Sequence, residues 1–204
     1  KLRNSNQQPM FNRALSGQYP PGSTTKPFFG LAGLETQTVN SQTKIFCRGF
    51  YRLPKKEHKY RDWKKQGHGH MNLKGAITQS CDVYFYSLSY RMGIDKMSAF
   101  LEKFGFGKKT GIDSTGEVTG LLPSREWKRK TLNQPWFPGE TLNTGIGQGT
   151  FLVTPLQLAN STGALSLNGL RYRPHLVKAL ENGYSGNKTD VPIEQVSEDG
   201  VSKK

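Results

Sequence analysis

Tyr19-Pro20-Pro21-Gly22-Ser23-Thr24-Thr25-Lys26-Pro27 is the stretch on which the reading of this chain turns. Pro20, Pro21 and Gly22 sit badly inside a helix, but they end an incoming segment and start a new one well. Ser23 therefore falls at or near a helix N-terminus. The spacing predicts a helix from Ser23 to about Gln37, with Phe28, Leu31 and Leu34 recurring at helical intervals. Three positions separate the Ser23 hydroxyl from the Lys26 amine, which puts both on one helix face. At such an N-terminus, unpaired backbone N–H groups and the positive end of the dipole favour developing negative charge. A serine is a weak nucleophile until a base takes its proton, and an amine one turn away can be that base.

The rest of the chain bounds what this motif can belong to. With 204 residues there is room for one domain or a large part of one. Hydrophobic content is only 34%, and 23 glycines with 11 prolines signal many turns. No apolar run approaches the roughly 20 residues that span a bilayer, and no signal peptide is visible. Lys and Arg number 29 against 15 Asp and Glu, a net charge of +14 that suits anionic partners. The densest basic patch, Lys55 to Lys65, reads as a solvated loop. No helix-turn-helix, zinc-finger or RNP pattern accompanies it, so nucleic acid is not expected as a partner.

Residues 1–22 read as a loop-rich lead-in and residues 38–70 as an ordered loop region. Helical segments follow at Leu73 to Gln79, at Val83 to Met92 and along the face Ile94, Met97, Phe100, Leu101 and Phe104. Residues 105–149 read mostly as turns, with a short helix at Ser124 to Lys128. Thr154-Pro155-Leu156-Gln157 forms a capping box with proline at the first helical position, so a helix starts at Pro155 and stops at Asn168-Gly169. Arg171 to Leu180 suits a strand, and the polar tail after Gly183 suits a mobile end.

Taken in order, these features resemble a known family. The segment Tyr19 to Pro27 is similar to the nucleophile segment of class B penicillin-binding proteins, and Gly145-Ile-Gly-Gln-Gly149 followed by Thr154-Pro-Leu-Gln-Leu-Ala159 looks like a second signature of that class. Tyr60-Arg-Asp-Trp-Lys-Lys65, Gly67-His-Gly-His70 and Pro123-Ser-Arg-Glu-Trp-Lys128 resemble the elongation-type subfamily, penicillin-binding protein 2. The resemblance implies an α+β fold of the penicillin-binding and β-lactamase-like kind, with this chain covering mostly its helical part and loops. It implies that residues 1–204 are part of a transpeptidase domain, without the membrane anchor, the pedestal domain and the later Lys-Ser/Thr-Gly segment. By itself this stretch would then be inactive or nearly so.

The activity implied is a peptidoglycan D,D-transpeptidase that cross-links stem peptides through an acyl-serine and is trapped by β-lactams. The parent would face the periplasm from the cell inner membrane. It would work with a glycan polymerase and with cell-shape scaffold proteins. Two other classes compete: a D,D-carboxypeptidase or β-lactamase-like hydrolase, and a non-catalytic module whose basic face docks on an anionic polymer. The family's second catalytic element is Ser-x-Asn, and Ser80-Cys81-Asp82 is its best match, with aspartate where asparagine is usual. Ser80 would relay a proton, and Asp82 would bond Lys26. Lys109-Thr110-Gly111 matches the third element literally, but its glycine-rich surroundings argue for a loop.

If Ser80 and Asp82 face the cleft, Cys81 faces backward. Cys47, Asp62, His68 and Cys81 could then make a closed, four-coordinate zinc site of structural type, with His70 as a substitute for His68. A Cys47–Cys81 disulfide and two unrelated thiols are the other readings of the same pair.

Overall fold

The computed structural model of the protein describes residues 9–196. Its elements begin with helix α1 (Arg13–Ser16), a 3₁₀ turn (Gly22–Thr25) and helix α2 (Lys26–Glu35). Strands β1 (Ile45–Cys47), β2 (Phe50–Tyr51), β3 (Tyr60–Arg61) and β4 (Gly69–Met71) follow. Next come helices α3 (Leu73–Thr78), α4 (Asp82–Met92), α5 (Ile94–Lys103), α6 (Arg125–Leu132), α7 (Pro138–Thr144) and α8 (Pro155–Ser166). Strands β5 (Ala179–Glu181) and β6 (Lys188–Asp190) come last. Among the described residues the strands pair as three antiparallel two-stranded sheets, β1 with β4, β2 with β3 and β5 with β6. The expected α+β character holds, with helices dominant. The chain divides into two compact units, one of Pro20–Leu101 with Leu121–Leu152, the other of residues 9–19, 102–120 and 153–196.

In the first unit α4 is the centre. Val83, Tyr84, Phe85, Tyr86, Leu88 and Met92 are all buried, and a helix apolar on nearly every side belongs in the middle of a core. Helices α2, α3 and α7 and strand β1 pack around it. The helix after the proline turn is shorter than the spacing predicts, because Ser23 lies in the 3₁₀ turn and the α-helix starts only at Lys26. Its inner face also differs from the expected one. Phe28, Phe29, Ala32 and Gly33 are buried, while Leu34 is 39% exposed. Gly33 sets this rotation, since a Cβ there would meet Leu88 Cδ1 at 2.8 Å.

Residues 38–70 are more regular than expected. Ile45 pairs with Met71, Phe46 with His70 and Cys47 with Gly69, while Phe50 pairs with Arg61 and Tyr51 with Tyr60. Ladders of two or three pairs are too short to leave an alternating pattern in sequence. Tyr51 and Tyr60 bring the second ladder onto Tyr86 of α4, with ring centroids 6.3 and 5.8 Å away. Helix α6 runs on to Leu132, past the expected Lys128, until Asn133 takes a left-handed conformation. Lys128 is buried and donates to both carboxylate oxygens of Glu140 at 2.7 Å, tying α6 to the unexpected helix α7.

In the second unit, Thr154 caps α8 by accepting the Gln157 N–H at 3.1 Å. The reciprocal half of the expected capping box is missing. Buried Gln157 instead donates its amide to the carbonyls of Gly105, Lys108 and Thr119, fastening the glycine-rich loop. The expected strand from Arg171 reduces to the Tyr172–Gln195 bridge and β5. The tail after Gly183 is ordered into β6, at least to residue 196; its last residues lie outside those described.

Candidate active site

The nucleophile segment is held from two sides. Thr25 Oγ1 donates to the Gly22 carbonyl at 2.8 Å and Thr24 Oγ1 to the Pro21 carbonyl at 2.6 Å, closing the 3₁₀ turn from within. From outside, the Gly22 N–H donates to the Gly147 carbonyl at 2.8 Å. Gly147 has φ +70°, and a Cβ there would overlap the Gly22 backbone. The glycine-rich stretch Gly145–Gly149 therefore lets one backbone lie directly against the other, which only glycine permits. Ser23 is left exposed and Lys26 only 1% exposed.

Ser80 reaches this pair through the end of α3. The Cys81 N–H donates to the Ala76 carbonyl at 2.9 Å, closing the helix in a way that demands a left-handed residue just before it. That residue is Ser80, at φ +53°, where glycine is the usual choice. The conformation turns its main-chain and side-chain oxygens the same way. Lys26 Nζ donates to the Ser80 carbonyl and to Ser80 Oγ, both at 2.9 Å, and to Asp82 Oδ1 at 2.5 Å. Ser80 Oγ in turn lies 3.0 Å from Ser23 Oγ. No hydrogen bond joins Lys26 directly to Ser23 among the described residues, so Ser80 is the link. Asp82 is the first residue of α4, where the dipole favours a carboxylate. The Phe85 ring covers Lys26 with its centroid 5.5 Å from Nζ.

Behind the same turn, Cys47, Asp62, His68 and Cys81 present ligand atoms that all lie within 4.8 Å of one another. Cys47 Sγ and Cys81 Sγ are each 3.5 Å from Asp62 Oδ2, and His68 Nδ1 is 3.5 Å from Asp62 Oδ1 and 3.6 Å from Cys47 Sγ. Around a tetrahedral zinc at ordinary bond lengths, neighbouring donors stand about 3.3–3.8 Å apart. The donor types and most of these spacings fit. Both cysteines are buried free thiols, not joined to each other, and the side chains of His68 and Asp62 are fully buried. His70 is exposed and packs at a tilt against the Phe46 ring instead.

Burial, with Cys47 and Asp62 close by, pushes the Cys81 thiol well up. For Asp62, burial acts upward too, but the N–H groups of Val83 and Lys64, His68 and the Cys47 thiol together hold its carboxyl below the ordinary value. A divalent cation is what would make thiolates tolerable beside that carboxylate.

Residues 1–203 match the model of the penicillin binding protein transpeptidase domain. The chain belongs to that family. It is 43% identical over 202 residues to the peptidoglycan D,D-transpeptidase MrdA of Acinetobacter baumannii, covering 99% of this chain and 30% of that protein. Among solved structures it resembles Pseudomonas aeruginosa PBP2 in complex with WCK 5153, with TM-score 0.84 and 45% identity over 98% of this chain and 43% of the other. It also resembles PBP2 of Helicobacter pylori in its complex with MreC, with TM-score 0.82 and 40% identity over 95% of this chain and 34% of the other. The chain thus spans less than half the length of these relatives.

Within the transpeptidase domain, Lys109-Thr110-Gly111 is a loop. The Thr110 and Gly111 N–H groups both donate to the Glu117 carboxylate, at 2.7 and 3.0 Å. Sequence reasoning missed three contributors to the site: Phe85, the backing role of Gly147, and the bond from the Val83 N–H to Asp62 Oδ2 at 3.0 Å. Only Gly147 left a signal, in the density of glycines from 145 to 149.

Proposed function

We propose that the protein carrying this domain is a peptidoglycan D,D-transpeptidase that cross-links stem peptides during cell elongation and is acylated by β-lactams. The observation that supports this most is the hydroxyl of Ser80 lying within hydrogen-bond reach of both Ser23 and Lys26. Ser23 Oγ attacks the carbonyl of a D-alanyl-D-alanine end. Its proton passes to Ser80 as the Ser80 proton passes on to Lys26, which hands one to Asp82, so the lysine–aspartate pair acts as a single acceptor. The C–N bond then breaks, the proton returns through Ser80 to the departing D-alanine amine, and the acyl group stays on Ser23. The amine of a second stem peptide then attacks the acyl carbon and gives up a proton to the Ser80–Lys26–Asp82 path; the ester bond to Ser23 breaks, and that proton passes back to the Ser23 oxygen.

Labelling the full-length protein with a fluorescent penicillin tests the reading. Covalent signal that disappears in Ser23→Ala supports it, whereas equal labelling of both proteins overturns it. Product analysis on pentapeptide strands then separates transfer to an amine from hydrolysis. By the family resemblance, the domain works in the periplasm at the inner membrane, beside a glycan polymerase and a scaffold protein of the kind seen in the MreC complex. Among the described residues no helix is long and apolar enough to cross a membrane.

The four buried donors behind the turn would hold a structural zinc ion through Cys47, Asp62, His68 and Cys81. The ion would fasten the β1–β4 segment to the start of α4 and leave the acyl-transfer chemistry to Ser23, Ser80, Lys26 and Asp82. Mass spectrometry under non-denaturing conditions checks this. A bound zinc mass present in the parent and lost in Cys81→Ser supports it; a metal-free parent overturns it.

A further inference from the structure

The cations of the β1–β3 region are left without counter-charges. From Arg48 to Lys65 the chain carries eight lysines and arginines against Glu57 and Asp62, and Asp62 is spent inside the donor cluster. None of the eight forms an ion pair among the described residues. Three of them converge on one ring. Arg48 and Arg52 place their guanidinium carbons 5.8 and 5.4 Å from the Phe50 centroid, and Lys59 places its Nζ at 4.8 Å. All three are exposed, while Phe50 is half-buried. A cleft of about 270 Å³ opens beside the two arginines, lined by Arg48 and Arg52 together with Phe50, Tyr51 and Val83.

Three like charges gathered on one aromatic ring repel each other, and the ring's negative face offsets only part of that. An anion placed near the ring relieves that repulsion. The concave, aromatic-floored shape suits a peptide that carries carboxylates on an organic backbone better than it suits a flat, charged surface. Position points the same way. Val83 borders the cleft, and the preceding residue, Asp82, holds Lys26.

We infer that Arg48, Arg52 and Lys59 around Phe50 form a docking site for the carboxylates of a peptidoglycan strand, next to the turn that serves Ser23. This deepens the transpeptidase reading and rests on it. The site would hold the strand by charge away from the scissile bond, adding affinity that falls with salt.

The test uses full-length protein and soluble, uncross-linked peptidoglycan strands at low salt. One variant removes the charges, Arg48→Gln/Arg52→Gln/Lys59→Gln, and another keeps them, Arg48→Lys/Arg52→Lys/Lys59→Arg. The neutral variant is expected to bind strands about tenfold more weakly, as three exposed charge pairs allow, and the charge-keeping variant to bind within about twofold of the parent. Strands whose carboxylates have been amidated are expected to bind the unmodified protein about tenfold more weakly too. Unchanged binding by the neutral variant, or equal binding of amidated strands, overturns the inference. So does a neutral variant that loses phosphatidylglycerol vesicles yet keeps the strands. If the neutral variant does not fold, the amidated strands decide on unmodified protein. Penicillin labelling of the unmodified protein reports on Ser23 separately, so failure of the docking site and failure of the acyl-serine reading give different results.

Discussion

Asp82 and Asp62 stand on opposite sides of the turn Ser80-Cys81-Asp82 and are held on opposite terms. Asp82 faces forward, with a side chain 16% exposed, and its bond to Lys26 ties it to a group that can exchange a proton. Asp62 faces backward, fully buried, and accepts from two thiols and from the Val83 and Lys64 N–H groups. The forward carboxylate is placed to take part in chemistry. The rear one is placed to fix where the chemistry happens, since its partner Val83 directly follows Asp82. A turn of three residues thus separates reactivity from support.

The largest expected effect is at the residue that opens the turn. Ser80 adopts φ +53°, a conformation that costs a non-glycine residue roughly 1 kcal/mol. Ser80→Gly is expected to slow acylation by penicillin about 10²–10⁴-fold, because the hydroxyl link between Ser23 and Lys26 is gone. The same change is expected to leave the melting temperature equal or a few degrees higher. Stopped-flow acylation and a thermal melt check the two halves. A slower and also less stable variant would show that Ser80 supports the turn rather than serving the reaction.

Next comes the rear carboxylate. Asp62→Asn keeps the shape but gives up a charged acceptor for buried N–H and S–H groups, which is expected to cost about 2 kcal/mol of stability. It is also expected to lower bound zinc, read by metal analysis, while acylation in the folded fraction changes less than about threefold. A large loss of acylation rate at unchanged stability would erase the distinction drawn between the two aspartates.

The forward carboxylate gives a smaller change of a different kind. In Asp82→Asn the lysine has no anionic partner to receive a proton. Acylation at neutral pH is expected to fall about tenfold, read by stopped-flow kinetics with penicillin. An unchanged rate would mean that Asp82 only positions Lys26.

The two sides also differed in how legible they were in the amino-acid sequence. Ser23 and Lys26 are three residues apart, and local spacing alone puts them together. Ser80 and Asp82 came from the order of motifs in the family, and Cys47, Asp62, His68 and Cys81 from ligand chemistry. Nothing in the sequence shows that Ser80 is left-handed, because that follows from how α3 ends. Helices α4 and α8 were readable from apolar periodicity and from the Thr154-Pro155 cap. The β1–β4 region was not, because its ladders are two or three pairs long and punctuated by Gly49, Gly67 and Gly69, all at positive φ. Lys128 and Gln157 were unreadable for a different reason. Both are polar residues buried by partners far along the chain.

The smallest effect comes from the same device as Asp62, transferred to the surface. Asp113 accepts the Leu176 and Val177 N–H groups at 2.7 and 3.0 Å, and those two bonds hold its carboxyl below the ordinary value. A carboxyl lowered by folding stabilises above its unfolded pKa, about 3.9, and that contribution is lost as pH falls through the lower folded value. Between pH 5 and 7 the contact is therefore expected to be constant. Hydrogen exchange at the Leu176 and Val177 amides, corrected for intrinsic rates, is expected to quicken only in acid well below pH 4. Water competes freely at this exposed site, so global stability is expected to change little. Protection that already falls between pH 7 and 5 would show that another group governs the segment in place of the aspartate.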